Sequence, residues 1–307
     1  MQVWRALDEV NGVERSVATI GVFDGVHRGH RHVIAGVVKH AGEIGAVSVV
    51  VTFDPHPMTV VAPDSRSPAL ATLDHRIQLL AEEHVDAVLV LPFTTTLAQQ
   101  SAQDFVREVL VDVLHAKAVH VGENFRFGHR AAGDVALLRE LGTSYGFDVV
   151  PVPLAGGETT WSSTYVRDRL AEGDVVAAEK ALGRQHRVEG TVVHGDHRGR
   201  ELGYPTANLG PDDVSAVPAD GVYAGWLTRA SGDRLPAAIS IGTNPTFDGK
   251  ARRVEAYVLD RDDLELYGEH VALDFAERLR ETVKFDDVDS LKVQMAEDCR
   301  RAREILT

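Results

Sequence analysis

The chain has 307 residues, more than one ordinary hydrophobic core requires, so two domains are the first expectation. Its formal net charge of −14 argues against a nucleic-acid partner, and a hydrophobic content of 44% is sufficient for burial. The single cysteine, Cys299, cannot form an internal disulfide; there is no signal-peptide pattern, and no apolar run approaches the roughly 18 residues of a membrane span. These features predict a cytoplasmic globular protein without a membrane partner and leave self-association open.

The first half of the sequence alternates between strand-like and helix-like segments. Strands are predicted at residues 16–22, 46–53, 87–91, 118–121 and 147–153, and helices at 31–41, 75–83, 105–114, 135–145 and 163–183. This alternation predicts an open, mostly parallel sheet with helices on both faces, a Rossmann-like α/β domain over residues 1–184. Ligands of such sheets bind beyond the carboxyl ends of the strands.

The second half consists of short β-rich segments separated by turns that contain Gly, Pro, Asp and Asn. Strands are predicted at residues 188–193, 221–227, 237–241 and 253–259. This spacing predicts an antiparallel sheet or small barrel over residues 185–307. A helix with apolar positions Leu291, Met295 and Ile305 is predicted to close the chain.

The segment IGVFDGVHRGH follows the first predicted strand and indicates a phosphate site. A glycine turn followed by a helix start presents backbone N–H groups to an anion, and Gly21, Gly25 and Gly29 let a nucleotide approach the main chain. His27 and His30 lie three residues apart, so they can share one face and donate hydrogen bonds to a departing pyrophosphate.

Two other interpretations of the histidines remain open. An HxxH pair can bind zinc, although the sequence offers no convincing third ligand, and the pair can also be ordinary surface histidines. No GxxxxGK[ST] segment is present, so a nucleotide is not held here by a P-loop.

Four segments in order resemble one known family. GVFDGVHRGH resembles the HxGH signature of nucleotidyltransferases in the form carried by prokaryotic bifunctional riboflavin kinase/FMN adenylyltransferases (FAD synthetases). TFDPHP, VGENFRFG and SSTYVR resemble that family's flavin-side loop, nucleotide-side loop and ATP-phosphate segment. The resemblance implies flavin or nucleotide contacts from Phe23, Asp24, His56, Pro57, Asn124, Phe127, Ser163, Thr164 and Arg167.

Several of these residues also fit structural roles. Ser163 and Thr164 open a predicted helix and suit hydroxyl caps, while Arg167 can pair with a neighbouring carboxylate. Each phenylalanine at a strand end suits the core as well as a ligand contact. Tyr165 stands where many family members have arginine, so no charge is expected there.

A second candidate site lies in HGDHRGRELGYPTAN. Gly195, Gly199 and Gly203 recur every four residues, but the strand and proline flanks argue against a helix, and a flexible cover over phosphates fits better. In an extended strand Thr206 and Asn208 point to the same face, and their oxygens suit the Mg²⁺ carried by ATP. The alternative is a β-turn in which both side chains only cap the backbone.

LGYPTAN resembles the riboflavin kinase motif, although HGDHRGRE departs from its frequent glycine pattern. The segments DGVYAG, SIGTNPTF and VEAY further along also resemble kinase segments. The resemblance makes Glu255 the candidate base for the 5′-hydroxyl of riboflavin. From the residues alone, Glu255 also fits a solvent-facing partner of Arg252 or Arg253.

The whole pattern implies conversion of riboflavin to FMN and then to FAD, with ATP as the substrate of both steps and Mg²⁺ as its companion. The phosphate of FMN can attack the α-phosphorus of ATP directly, so no covalent nucleophile is required. Two alternatives stay open: a different phosphate acceptor in the first domain, and a flavin-binding protein without turnover.

Overall fold

The structure is a computed structural model that describes residues 1–65, 67–153, 160–194, 203–211, 215–243, 252–261 and 263–307. Its contacts divide the chain into two units, Met1–Ser67 with Leu73–Ser162, and Pro68–Thr72 with Ser163–Thr307. The helical segment that the sequence placed at the end of the first domain therefore groups with the second unit. The domain boundary near residue 184 stays a prediction.

The first unit contains a six-stranded parallel sheet, which confirms the predicted α/β architecture. In the sheet order β1-β4-β3-β2-β5-β6, the strands are β1 (Gln2–Trp4), β2 (Ser16–Ile20), β3 (Val47–Asp54), β4 (Ala87–Pro92), β5 (Ala116–Gly122) and β6 (Asp148–Val152). Strand β2 pairs with β3 on one side and with β5 on the other. The chain thus reverses its direction of travel through the sheet at β2, and ligands of open α/β sheets bind at such a switch point.

Helices cover both faces of this sheet. They are α1 (Arg28–Ile44), α2 (Pro57–Val61), α3 (Leu73–Glu82), α4 (Thr95–Gln99), α5 (Ala102–Phe105), a π-helical segment (Val106–Val113) and α6 (Val135–Tyr145). Val17 packs with Val37 and Ala41 of α1, whereas Ala18 belongs to a separate cluster with Leu110. This alternation follows from the two-residue period of a strand, which sends neighbouring side chains to opposite faces.

The second unit contains a closed barrel of antiparallel strands, as predicted. In the order β10-β11-β8-β7-β12-β9, the strands are β7 (His186–Val193), β8 (Ala207–Pro211), β9 (Gly221–Arg229), β10 (Arg234–Thr243), β11 (Arg252–Val258) and β12 (His270–Arg280). Among its described residues, this unit contains the helices α7 (Ser163–Glu172), α8 (Val175–Leu182) and α9 (Val288–Leu306).

The predicted terminal helix is present, whereas the prediction for residues 163–183 needs correction. The single helix expected over 163–183 is two helices, because Gly173 adopts φ 79° and Asp174 caps α8 by accepting a hydrogen bond from the backbone N–H of Ala177. In α9 the buried face runs through Cys299 and Ala302, whereas Ile305 is exposed. None of the helices in the described part of the chain is long and apolar enough to cross a membrane.

Candidate active sites

The loop after β2 turns sharply before α1 begins. Phe23, Gly25 and Val26 adopt φ values of 52°, 74° and 37°, in the left-handed region that favours glycine. This turn places His27 at the N-cap of α1, where its Nδ1 accepts a hydrogen bond from the backbone N–H of His30 at 3.3 Å. The loop therefore holds one histidine at the start of the helix and the other in its first turn.

The two histidine rings lie against each other. Their centroids are 3.6 Å apart and their planes differ by 22°, while the edge of Phe23 contacts His30 with centroids 5.1 Å apart. Nδ1 of His30 is buried and has no hydrogen-bond partner among the described residues. Burial, followed by the charge of His27, lowers the pKa of His30 well below its usual value. An uncharged imidazole with an unused ring nitrogen is suited to meet an incoming phosphate.

Glycine at position 29 leaves little room for a side chain beside this pair. A Cβ there would lie 3.0 Å from the His27 ring and 3.3 Å from the carbonyl oxygen of Trp161. Phe23 and Asp24, predicted to contact the nucleotide, are 3% and 4% exposed, so both are buried in the loop. Among the described residues, no group of three or more His, Cys, Asp or Glu side chains is arranged to hold a metal ion.

A buried arginine joins this loop to the segment that follows β3. The guanidinium of Arg76, on α3, donates from Nη1 to the carbonyl of Val22 at 2.8 Å and from Nη2 to that of Phe53 at 3.1 Å. Arg76 is not among the residues predicted from the sequence. A signal was nevertheless present, because Arg76 shares a helical stripe with the buried residues Leu79 and Leu80.

Beside the loop lies a cavity of about 910 Å³ within the first unit. Its walls are mainly apolar and aromatic, and include four of the predicted contact residues, Gly21, His56, Pro57 and Phe127, together with Phe53, Phe93, Phe125, Arg126 and His129. The rings of Phe125 and Phe127 stack with centroids 5.3 Å apart. A cavity of this size and lining accommodates a flat aromatic ligand.

His56 and Asn124, two of the predicted contact residues, each lie shortly after a strand of the sheet. His56 caps α2 by accepting a hydrogen bond from the backbone N–H of Met58 at 3.1 Å, and this holds its ring at the cavity wall. Asn124 is exposed just after β5, where a Cβ on Gly122 would lie 3.3 Å from its Oδ1. Both residues follow the carboxyl ends of their strands.

Residues 163–167 of the segment SSTYVR lie in the second unit. Helix α7 begins at Ser163, as the sequence predicts, and Thr164 in its first turn is exposed. Arg167 donates from Nε to the carbonyl of Pro68 at 2.6 Å. This bond anchors the arginine stem to the main chain of the same unit.

The barrel brings the second set of predicted residues together. Asn208 of β8 lies directly opposite Glu255 of β11, and Thr206 Oγ1 donates to Glu255 Oε2 at 3.4 Å. Val254 and Ala256 are buried at 0% and 1% exposure, so the alternation of β11 turns Glu255 to the opposite face. A hydroxyl, an amide and a carboxylate therefore share one face of the barrel.

The residues around Glu255 bear on its predicted arginine partners and on the predicted glycine loop. Arg252 forms an ion pair with Asp220 at 2.8 Å, which engages one of the two arginines considered as partners of Glu255. Gly203 adopts φ 87°, in the left-handed region, whereas Gly195 and Gly199 lie outside the described residues. Thr206 and Asn208 also border a cavity of about 110 Å³, together with Tyr267.

Comparison with known proteins gives concordant matches. One family model, FAD synthetase, matches residues 10–165, and another, riboflavin kinase, matches residues 182–306. The bifunctional riboflavin kinase/FMN adenylyltransferase of Escherichia coli (strain K12) is 38% identical over 292 residues, which cover 95% of this chain and 93% of the relative. The protein of the same name from Pseudomonas fluorescens is 38% identical over 311 residues, covering 99% and 98%.

Among solved structures, a crystal structure of a macrolide-efflux protein from Streptococcus pneumoniae is similar along the whole chain. Its TM-score is 0.88 at 31% identity, with 98% of each chain covered. The similarity thus extends over both units and over both candidate sites.

Proposed function

The chain belongs to the family of bifunctional riboflavin kinase/FMN adenylyltransferases, and we propose that its two candidate sites divide the two reactions between them. The C-terminal domain phosphorylates riboflavin to FMN, and the N-terminal domain adenylylates FMN to FAD and releases pyrophosphate. The observation that carries the assignment of residues is the pairing of Asn208 with Glu255 in the barrel, while His27 and His30 stack in the other unit.

In the N-terminal reaction, an oxygen of the FMN phosphate attacks the α-phosphorus of ATP. A new phosphorus–oxygen bond forms, the bond to the β-phosphate oxygen breaks, and pyrophosphate departs with the electron pair. In this proposal His27 and His30 donate hydrogen bonds to the triphosphate, a role that their stacked rings at the start of α1 support, and the stacked rings of Phe125 and Phe127 contact the flavin ring. Positioning and charge stabilisation are sufficient for this chemistry.

In the C-terminal reaction, Glu255 takes the proton of the riboflavin 5′-hydroxyl as its oxygen attacks the γ-phosphorus of ATP, and ADP departs. The position of Glu255 beside two oxygen-bearing side chains supports this role. Thr206 and Asn208 present hard oxygen donors next to a carboxylate, a donor set that fits Mg²⁺ brought in with ATP. Bound there, the ion would neutralise charge on the phosphates.

The two alternative functions, a different phosphate acceptor and a flavin-binding protein without turnover, explain fewer of these observations. A different phosphate acceptor would leave LGYPTAN and the aromatic cavity without a role, and a protein without turnover would not need Glu255 beside Thr206 and Asn208. The pneumococcal structure is named for macrolide efflux, but both matching family models describe flavin enzymes, and the similar bacterial relatives are named as flavin enzymes. The lone cysteine, Cys299, supports a cytoplasmic location as a further proposal.

The experiment is a flavin conversion assay on the purified chain. Riboflavin is incubated with ATP and Mg²⁺, and riboflavin, FMN and FAD are separated by reversed-phase chromatography. We expect FMN to form first and FAD to follow, and omission of Mg²⁺ to stop both. Formation of neither product would contradict the function, while formation of FMN without FAD would contradict the assignment of the first unit.

A further inference from the structure

Arg76 is buried in the first unit and contacts two separate segments of the main chain. Arg76 is 5% exposed, and the two terminal nitrogens of its guanidinium donate to the carbonyls of Val22 and Phe53. Val22 immediately precedes the turn that leads to the histidines, and Phe53 is the next-to-last residue of β3, which leads into the loop that carries His56. One guanidinium thus connects the loop after β2 that leads to His27 and His30, here called the histidine loop, to the loop that carries His56, the flavin-side loop.

The carbonyl of Val22 receives a second donor. Thr52 Oγ1 donates to the same oxygen at 2.9 Å, so Arg76 and Thr52 fix it from two elements. The next residue, Phe23, is held at φ 52°, and Val26 at φ 37°. Non-glycine residues in this region are strained and persist only where the surroundings hold them in place. The two donors supply that restraint at the entry to the turn.

The charge of Arg76 is balanced by acids close in sequence to the two carbonyls that it contacts. Burial lowers its pKa, and the carboxylates of Asp24 and Asp54 act in the opposite direction. Asp24 lies two residues after Val22 in the histidine loop, and Asp54 directly follows Phe53. A planar guanidinium donates in two fixed directions, which a lysine ammonium does not reproduce. The site therefore combines directed hydrogen bonds with charge balance across both loops.

We propose that Arg76 is a positioning residue for adenylyl transfer: it sets the separation between the histidine loop and the flavin-side loop, and hence between the phosphate of FMN and the α-phosphorus of ATP. The inference rests on the proposed assignment of FMN adenylylation to this unit. Arg76 touches neither substrate in this role. Its contribution is to the geometry of approach, where a displacement of about 1 Å can reduce the rate about 100-fold.

The test measures FMN adenylylation by Arg76→Ala, Arg76→Lys and Thr52→Val in the full-length chain. We expect kcat of Arg76→Ala to fall about 10- to 100-fold, with a smaller change in KM for ATP. Arg76→Lys restores part of the rate because it keeps one donor and the charge. Thr52→Val, which keeps the side-chain volume and loses one donor, shows a smaller fall in kcat. Arg107→Ala, at an exposed arginine of the same unit, is the matched control with an unchanged rate.

Chemical rescue separates positioning from a general loss of structure. Guanidinium ion, added well below denaturing concentrations, is expected to raise the rate of Arg76→Ala and to leave wild type and Arg107→Ala unaffected. A folded Arg76→Ala with wild-type kcat would overturn the proposal, as would a loss of rate that neither guanidinium nor lysine relieves. If Arg76→Ala does not fold, a wild-type kcat in Thr52→Val overturns it. Failure of wild type itself to form FAD would instead contradict the proposed function.

Discussion

Replacing Glu255 by glutamine is expected to stop riboflavin phosphorylation while FMN adenylylation continues. Glutamine keeps the size of the side chain and an oxygen that can accept from Thr206 Oγ1, which now lies 3.4 Å from Glu255 Oε2. It removes the group that takes the proton of the 5′-hydroxyl. A positioned general base contributes about 10²- to 10⁴-fold, so kcat is expected to fall by that factor, equivalent to about 3–5 kcal/mol.

The assay runs both reactions on the same protein preparation. Riboflavin with ATP and Mg²⁺ reports phosphorylation, and FMN with ATP and Mg²⁺ reports adenylylation, each followed by chromatographic separation of the flavins. Glu277→Gln is the matched control, since it makes the same chemical change at an exposed position of strand β12 in the same barrel. A phosphorylation kcat within about threefold of wild type would refute the role of Glu255 as base, and equal loss of both activities would refute the separation of the two sites.

Three further outcomes follow from the geometry. Gly29→Ala is expected to reduce FAD formation at least about 10-fold and to spare FMN formation, because the added Cβ lies 3.0 Å from the His27 ring; a wild-type rate of adenylylation would contradict it. Phe125→Ala is expected to raise KM for FMN about 3- to 10-fold, since an aromatic contact contributes about 0.5–1.5 kcal/mol; an unchanged KM would place the flavin elsewhere. Burial lowers the pKa of His186 from 6.5 to about 4, so the unfolded chain takes up a proton that the folded barrel does not. Urea unfolding at a series of pH values should therefore show up to about 3 kcal/mol of stability lost as pH falls from about 6.5 to about 4, and His186→Gln should reduce this loss; identical pH profiles would contradict it.

The α/β architecture of the first unit was predictable because its strands are continuous β-branched runs between helical segments. Residues 46–53 are the clearest example, and the observed strand β3 covers Val47–Asp54. Strand β1 was missed, since its three residues carry too little pattern to be distinguished. Its assignment depends on pairing with β4, which is a tertiary contact.

Strand β12 shows why one strand of the barrel was missed. Val271, Leu273 and Phe275 are buried apolar residues typical of a strand, but Ala272 and Asp274 between them, which are also buried, are poor strand formers. In the structure Asp274 is paired with Arg187 at 2.7 Å, a partner more than 80 residues away in the sequence. Local propensity therefore pointed away from a strand that long-range pairing stabilises.

The candidate sites were predictable where they depend on local geometry. The proximity of His27 and His30 and the shared face of Thr206 and Asn208 both follow from short spacings. The position of Glu255 opposite Asn208 required the register of two distant strands, which the residues alone do not specify. The role of Arg76 likewise depends on which loops pack against α3, and this is a tertiary contact that the residues alone do not specify.

The most direct test of two separate sites is complementation between two inactive variants. Glu255→Gln retains adenylylation and lacks phosphorylation, and His30→Asn is expected to show the reverse. Neither variant alone converts riboflavin to FAD, but FMN released by one can be adenylylated by the other. We predict that mixing the two proteins with riboflavin, ATP and Mg²⁺ restores FAD formation. A mixture that forms no FAD, or a single variant that forms it at the wild-type rate, would contradict the assignment of one reaction to each site.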